Sequence, residues 1–215
     1  MSGLIVDTAL VVPSKLSGKN VMFRSASSDL FNEPFAYSDG TTLNNLVPAW
    51  AVDVNGVGSV SVTGAKVLTN GILNGMWASV APAVVSNTNH YAAVEISAGL
   101  AGNIGGVLAR FTDKNNFYAL RCSRAAADTY ELYKRVASTY TLLDSLVEAF
   151  PATPFRVKLG ILGTTLTGYL WNGSAWVQKV TKVGDAAFAS GSVGIFGQYI
   201  SGAQLSFDDF AAGNT

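Results

Sequence analysis

Charged residues are scarce in this sequence. Only 13% of its 215 residues are Asp, Glu, Lys or Arg, and 14 basic residues balance 14 acidic ones to a net charge of zero. Proteins that bind nucleic acid or an anionic membrane surface carry an excess of positive charge. We therefore expect neither nucleic acid nor another polyanion as a partner.

Cysteine and histidine occur once each, as Cys122 and His90. A single cysteine cannot form an intramolecular disulfide, and one residue of each type cannot build the clusters of a zinc site. Cys122 lies in an alternating, strand-like segment, so we expect a buried and unreactive thiol. His90 follows a polar stretch where a loop leads into a strand, and the spacing places no serine and acid beside it as in a catalytic triad.

Long apolar runs are also lacking. Residues 4–12 are apolar apart from Asp7 and the small residues Thr8 and Ala9, and no basic residue precedes them. They are far shorter than the roughly 20 residues of a membrane-spanning helix. We expect a protein that does not insert into a membrane and that is made in the cytoplasm without a secretion signal.

Helical periodicity is missing, whereas glycine is plentiful, with 22 residues against 6 prolines. Short segments that alternate polar and apolar residues follow one another between turns rich in Gly, Asp and Asn, which is the pattern of β-strands. The best-defined segments are 59–64, 90–97, 105–111, 116–123, 129–136, 154–162, 164–171, 175–180, 191–197 and 203–210. The gaps between them are too short for the crossover helices of a parallel sheet. The sequence predicts an all-β fold, an antiparallel two-sheet β-sandwich of about a dozen strands.

Two segments depart from this pattern. Residues 142–150 are the best helical candidate, since Pro151 would end a short helix there. Residues 1–28 join an apolar start to a basic, serine-rich stretch, and we interpret them as an N-terminal extended arm before a domain of residues 29–215. The arm either adds an edge strand to its own sandwich or docks on a neighbouring subunit. Its candidate docking residues are Leu4, Ile5, Val6, Leu10, Val11, Val12, Val21, Met22 and Phe23.

Several motifs follow one another in the order found in a known class of β-sandwich. They are Phe31, the turn 38–43 (SDGTTL), Pro48, Trp50, and the segments 105–118 (GGVLARFTDKNNFY), 130–140 (YELYKRVASTY), 159–170 (LGILGTTLTGYL) and 207–210 (FDDF). In this order the sequence resembles the laminin-G-like, concanavalin A-like sandwich modules found in bacteriophage virion proteins and in secreted bacterial glycan-associated proteins. The resemblance implies a concanavalin A-like jelly roll over about residues 29–212. It leaves the activity open, because this fold hosts many functions.

Relatives of such sandwiches include glucanases, which cluster carboxylates along one strand. Glycoside hydrolysis needs two carboxylates flanking the scissile bond. The glutamates here, Glu33, Glu95, Glu131 and Glu148, are far apart in sequence. One alternative places Glu95 in a cleft as an acid; the other, which we favour, makes it a solvated or ion-paired strand residue. We predict no catalytic site.

Asp208 and Asp209 form the densest acidic feature. With Asp39 they are candidates for a structural calcium site, since Ca²⁺ takes carboxylate oxygens and related sandwiches often hold it. Successive strand residues point to opposite faces, however, so only one of the two neighbours can face a given site. We favour the alternative in which one carboxylate caps the adjacent turn and the other is solvated, and we predict no cofactor.

Aromatic residues carry the main binding hypothesis, because sugar rings stack on exposed Trp and Tyr faces. Asn172-Gly173 is a strong signal for a two-residue hairpin turn, and it places Trp171 and Trp176 as a cross-strand pair. Trp171, Asn172, Trp176 and Gln178 are therefore the candidate glycan- or partner-contact residues. The alternative is that the pair only packs on the sheet. Asn172-Gly-Ser is also an N-glycosylation triplet, which the turn itself explains.

These features favour a non-catalytic module. The resemblance leads us to predict a bacteriophage virion structural protein, a capsid decoration or tail-associated subunit. It would bind other virion proteins or copies of itself in a homo-oligomer or many-copy assembly. Zero net charge suits dense packing, since like-charged copies would repel. The alternative is a carbohydrate-binding, lectin-like module, and a glycoside hydrolase is the third hypothesis.

Overall fold

A computed structural model of the chain describes residues 29–43, 50–54, 59–63, 66–70, 76–80, 88–124, 126–198, 200 and 204–215. Within these residues every named element is a β-strand. In chain order the strands are β1 (Asp29–Glu33), β2 (Trp50–Val54), β3 (Ser59–Thr63), β4 (Lys66–Asn70), β5 (Met76–Val80), β6 (His90–Ala98), β7 (Ile104–Asp113), β8 (Asn116–Ser123), β9 (Thr129–Val136), β10 (Thr139–Val147), β11 (Phe155–Leu162), β12 (Thr165–Trp171), β13 (Trp176–Lys182), β14 (Ser192–Gln198) and β15 (Ser206–Asn214). The predicted arm and all of its candidate docking residues lie outside the described residues.

The described strands form two antiparallel sheets. The first has the order β13-β12-β11-β6-β15-β4-β3, and β1 pairs with β15 as an eighth strand. The second has seven strands in the order β10-β9-β8-β7-β14-β5-β2. The predicted antiparallel two-sheet sandwich is therefore confirmed. In the described ranges, no helix is long and apolar enough to cross a membrane.

Alternation along each strand decides which side chains face the interior. Val157, Leu159 and Ile161 of β11 belong to the main core, as do Tyr118 and Leu120 of β8 in the opposite sheet. All five are fully buried. The core therefore lies between the sheets, and the intervening residues of each strand face outward, where a binding surface can form.

The predicted short helix at 142–150 is wrong, because most of this segment belongs to β10, the edge strand beside β9. The turn before β10 is made by Ala137 and Ser138, whose φ angles are 47° and 71°. Without Gly or Asn in it, this turn gives no local signal in the sequence. Pairing with β9 decides the conformation of a segment whose apolar spacing is ambiguous.

A bulge in β15 changes the orientation of the two adjacent aspartates. Phe207 and Phe210 are three residues apart, yet both are fully buried in the main core. Asp209 has a φ of 47°, and the register with β6 shifts between Asp208 and Ala211. An extra residue of this kind breaks the alternation of a strand. The rule that successive residues point to opposite faces is therefore wrong at this position.

Aromatic rings close one end of the core around Trp50, which is 1% exposed. Its ring centroid lies 5.0 Å from that of Phe210, 5.6 Å from Phe35 and 6.4 Å from Phe31. Glu33 is buried beside them, where it accepts a hydrogen bond from the Phe35 N–H at 2.9 Å. The contacts of Glu33 therefore stabilise the entry of the chain into the sandwich.

A buried polar network anchors the loop before β14. Asp185 is 6% exposed, and its carboxylate accepts hydrogen bonds from the Tyr118 hydroxyl at 2.5 Å and the Lys134 Nζ at 2.6 Å. Burial and the bond to Asp185 raise the pKa of Tyr118 to about 12. The Arg110 guanidinium donates to three carbonyl oxygens from separate loops at 2.6–2.8 Å. These groups hold loops together at the rim of the core.

Candidate functional site

The tryptophan pair lies on the outward face of the first sheet. Leu166 and Leu170 of β12 point into the main core, so Tyr169 and Trp171 point away from it. Trp171 is the register partner of Trp176 on β13, with ring centroids 5.4 Å apart and planes at 60°. Both rings are partly exposed. The predicted cross-strand pair is confirmed, and neither ring is buried in the core.

The loop of residues 172–175 joins the two tryptophans. Asn172 Oδ1 accepts hydrogen bonds from the Ser174 N–H at 3.0 Å, the Ser174 hydroxyl at 3.0 Å and the Ala175 N–H at 2.8 Å. The Asn172 N–H donates to the Ala175 carbonyl at 3.1 Å, and Gly173 has a φ of 98°. The predicted hairpin is present, although its connection has four residues instead of two. The contacts of Asn172 Oδ1 thus stabilise the turn.

A lysine lies among the aromatic rings beside this pair. Lys158 Nζ is 4.6 Å from the ring centroid of Trp176, 4.8 Å from that of Tyr169 and 5.6 Å from that of Tyr91. Ring faces attract a cation at these distances, so the ammonium group is held at the surface of the sheet. Exposed Gln178 is the register partner of Tyr169. We call the surface formed by Tyr91, Lys158, Tyr169, Trp171, Trp176 and Gln178 the tryptophan patch.

From β11 toward β15, the same face of the sheet carries first cationic and then acidic side chains. Arg156 lies two residues before Lys158 on β11, and its register partner on β6 is Glu95. Glu95 in turn is the register partner of Asp208 on β15. The rings of β12 and β13 are thus separated from these carboxylates by the two cations of β11. Sequence spacing missed the neighbouring carboxylates, since they meet only through strand pairing.

Asp39 does not complete a calcium site with the two adjacent aspartates. In the described part of the chain, which includes all three, no group of three His, Cys, Asp or Glu side chains is arranged to hold a metal ion. Asp208 Oδ1 instead accepts a hydrogen bond from the Asp209 N–H at 2.8 Å within the bulge. Burial raises the pKa of Asp208, and the charges of Asp209 and Glu95 raise it further. One aspartate thus supports the local backbone, as in the favoured alternative.

The remaining predicted groups have structural contacts. His90 is fully buried at the start of β6, and its Nε2 accepts a hydrogen bond from the Arg110 N–H at 3.4 Å. Cys122 is also fully buried, and burial raises the pKa of its thiol. Glu148 accepts a hydrogen bond from Lys179 Nζ at 2.5 Å. The predicted buried thiol is confirmed.

A second cluster of rings and a cation lies on the outward face of the second sheet. The Arg121 guanidinium carbon is 4.5 Å from the ring centroid of Tyr133, 5.6 Å from Phe196 and 5.7 Å from Tyr140. Its Nη2 is also 3.4 Å from Glu131 Oε2. Burial raises the pKa of Glu131, and the Arg121 charge partly offsets this rise. We call this surface the arginine face.

The arginine face lies beside a small apolar cluster that is separate from the main core. Its six members, all buried, are Ile104, Leu108, Phe111, Phe117, Ala119 and Phe196. β8 contributes to both cores, because Phe117 and Ala119 alternate with the inward-facing Tyr118 and Leu120. The apolar run 117–120 is the sequence signal for a strand buried on both faces. The apolar cluster is closely packed, in contrast to the partly exposed indoles of the tryptophan patch.

Comparisons with known proteins find similarity in structure. No protein-family model and no curated protein sequence matches the chain. The carbohydrate-binding module CBM66 from Bacillus subtilis matches with a TM-score of 0.59 and 14% identity, over 81% of this chain and 98% of that module. The VIP36 exoplasmic/lumenal domain in its Ca²⁺/Man-bound form matches with a TM-score of 0.59 and 12% identity, over 77% of this chain and 83% of that domain.

The GH43 protein BlXynB from Bacillus licheniformis matches with a TM-score of 0.61 and 16% identity, over 86% of this chain. This chain spans only 39% of the length of that protein. Similarities at such identity show the fold alone. The fold is a concanavalin A-like sandwich, as the resemblance in sequence predicted.

Proposed function

We propose that this protein is a non-catalytic carbohydrate-binding module and that its ligand rests on the tryptophan patch. The observation that carries the proposal is the partly exposed Trp171–Trp176 pair on an outward sheet face. Two tryptophan rings held outside the core at a hairpin provide the apolar faces on which pyranose rings stack. Glycan binding was the alternative at the sequence level, and it is now the better supported hypothesis.

Polar groups around the rings fit the same ligand class. Gln178 offers an amide with both donors and an acceptor, and Lys158 offers an ammonium group with three donors. Binding sites for small ligands combine an apolar surface with a few polar groups that fix orientation. Sugar hydroxyls can pair with such groups while the apolar face of the sugar covers the indoles.

The similar proteins support this class of function over catalysis. CBM66 is itself a carbohydrate-binding module, and the VIP36 structure is a Ca²⁺/Man-bound form. Glu95 and Asp208, carboxylates of the same sheet face, lie beyond Arg156 in the register, away from the rings of β12 and β13. We therefore place the glycoside hydrolase hypothesis third, as before.

The test is binding to a panel of soluble polysaccharides, measured by retardation in affinity gels and by titration calorimetry. We expect retardation by at least one polysaccharide and a loss of affinity of about tenfold or more in Trp176→Ala and Trp171→Ala, since a tenfold change corresponds to about 1.4 kcal/mol. Tyr140→Ala is the matched control, because Tyr140 is a partly exposed ring on the other sheet. EDTA should leave binding unchanged.

Equal retardation of the wild type and both tryptophan variants would contradict the proposed site. Retention that is lost equally in Tyr140→Ala would point to the arginine face instead. Thermal unfolding of each variant separates loss of binding from loss of folding.

We also retain, as a separate proposal, that the module is carried on a bacteriophage particle. Its support is the order of sequence motifs from Phe31 to Phe210 that resembles virion sandwich modules. Mass spectrometry of purified virions tests it, with a defined copy number expected and absence from the particle contradicting it. A glycan-binding module on a particle surface is compatible with both proposals.

A further inference from the structure

The cationic strand β11 separates the patch rings of β12 and β13 from the acidic side chains of β6 and β15 on the same face. Lys158 is the register partner of Tyr169 on one side and of Ala93 on the other. Its ammonium group lies within 5.6 Å of three ring centroids. A saccharide stacked on the indoles therefore meets an ammonium group before it meets a carboxylate.

The ammonium group of Lys158 supplies the positive charge that favours an anion at this surface, and the surrounding rings fix its position. Aromatic rings are electronegative on their faces and electropositive at their edges. The faces of these rings attract the ammonium and hold it in place. A carboxylate that approached Lys158 would form a charge-assisted hydrogen bond, which is about twice as strong as a neutral one.

The acidic side chains of β6 and β15 disfavour a ligand carboxylate on their side of the sheet face. The pKa of Asp208 is raised by burial and by the nearby charges of Asp209 and Glu95, so negative charge is already crowded there. A ligand carboxylate would be repelled from β6 and β15 and directed toward β11. Attraction remains local, because the net charge of zero provides no field that draws a polyanion from a distance.

We propose that the tryptophan patch selects saccharides that carry a carboxylate, of the uronic acid class, and that Lys158 Nζ binds this carboxylate while the sugar ring lies on Trp171 and Trp176. The proposal rests on the proposed function, because it names the ligand class of the same site. It predicts selectivity within glycans, not affinity for polyanions in general.

The experiment compares short acids with their own neutral esters. The probes are trigalacturonic acid and a β-linked triglucuronic acid, each paired with its methyl ester, and a monosulfated neutral trisaccharide. Affinity is measured by calorimetry with the full chain at low and moderate salt. We expect at least one acid to bind about tenfold more tightly than its ester, as for a gained charge-assisted hydrogen bond.

Variants assign this ratio to one side chain. Lys158→Gln should bring the acid-to-ester ratio close to one, because the charge that distinguishes acid from ester is removed, whereas Lys158→Arg should retain a preference for the acid. Lys114→Gln is the matched control, since Lys114 is a partly exposed lysine in the turn between β7 and β8 of the other sheet. Trp176→Ala should weaken the binding of acid and ester together.

The outcomes separate this inference from the proposed function. Equal affinity for acids and esters, a ratio that survives in Lys158→Gln, or binding of the sulfated probe alone would overturn the carboxylate proposal. In those cases, loss of binding in Trp176→Ala would still support a glycan site. Binding of neutral polysaccharides without any of the acids would also overturn the inference alone, and binding of no saccharide at all would overturn both.

Discussion

The outward faces of the two sheets each hold a cation among aromatic rings, but they use it differently. On the arginine face, Arg121 contacts three rings and is also paired with Glu131. A buried apolar cluster lies beside it, with Phe117 fully buried. On the tryptophan patch, Lys158 contacts three rings, and both indoles remain partly exposed.

Under the proposed function, similar residue types serve stability on one face and recognition on the other. Packing that removes rings from water contributes to the free energy of unfolding, whereas rings left partly in water keep apolar area for a ligand. Mutations of equivalent groups on the two faces should therefore differ in which quantity they change. Four predictions test this difference.

The largest expected effect is on the ring buried beside the arginine face. Phe117→Ala should lower the free energy of unfolding by about 3–4 kcal/mol, because a fully buried phenylalanine leaves a cavity when it is truncated. Trp176→Ala should lower it by only about 1 kcal/mol, as for a cross-strand pair at a surface. Urea denaturation measures both. Equal losses would break the distinction between the two faces.

The next effect concerns the two cations. Arg121→Gln should cost about 1–2 kcal/mol at pH 7, between the values for exposed and buried ion pairs, since the two side chains are 13% and 19% exposed. Lys158→Gln should cost about 0.5 kcal/mol, because cation–ring contacts at a surface are lost.

The loss in Arg121→Gln should also depend on pH. Burial already raises the pKa of Glu131, and without Arg121 that pKa rises further. The folded variant then favours the protonated carboxyl, so the loss should shrink as the pH falls from 7 to about 4. Urea denaturation at both pH values checks this, and a loss independent of pH would show that the ion pair contributes little.

The smallest effect is expected at the acidic edge of the patch face. Asp208→Asn keeps the side-chain oxygen that accepts the Asp209 N–H but removes a charge. Because the pKa of Asp208 is raised in the fold, its ionised form destabilises the protein, and this cost grows as the pH rises above the ordinary aspartate value of 3.8. The variant should therefore gain about 1–2 °C in Tm at pH 7 and nothing at pH 3. A gain of equal size at both pH values would contradict the electrostatic cause.

Features of the fold that depend on local chemistry were predictable from the sequence. Period-2 alternation identified β6, β8 and β9, and the Asn172-Gly173 turn placed Trp171 opposite Trp176. The short helix was predicted wrongly because the turn at Ala137 and Ser138 uses positive φ without Gly or Asn. Prediction of a hairpin from the sequence succeeds where a residue such as Gly or Asn marks the turn. It fails where two strands pair through a turn without such a residue.

The chemistry around the tryptophans was not predictable, for a different physical reason. Tyr91, Lys158 and Trp176 come from strands that meet only through the order β13-β12-β11-β6. Glu95 and Asp208 meet through a register that a bulge shifts. Strand order and register are set by the packing of the whole core, so sequence separation alone does not indicate these contacts.

The hairpin loop has a practical consequence for how the protein is produced. Asn172 is exposed, its Oδ1 is used by the turn, and it begins the triplet Asn-Gly-Ser. Oligosaccharyltransferases of the eukaryotic secretory pathway attach a bulky sugar to the Nδ2 of such an asparagine. A sample secreted from yeast or animal cells would then carry its own glycan between Trp171 and Trp176, at the edge of the surface that a ligand must reach. Protein from the bacterial cytosol, or an Asn172→Asp variant that keeps the Oδ1 acceptor, avoids this competition.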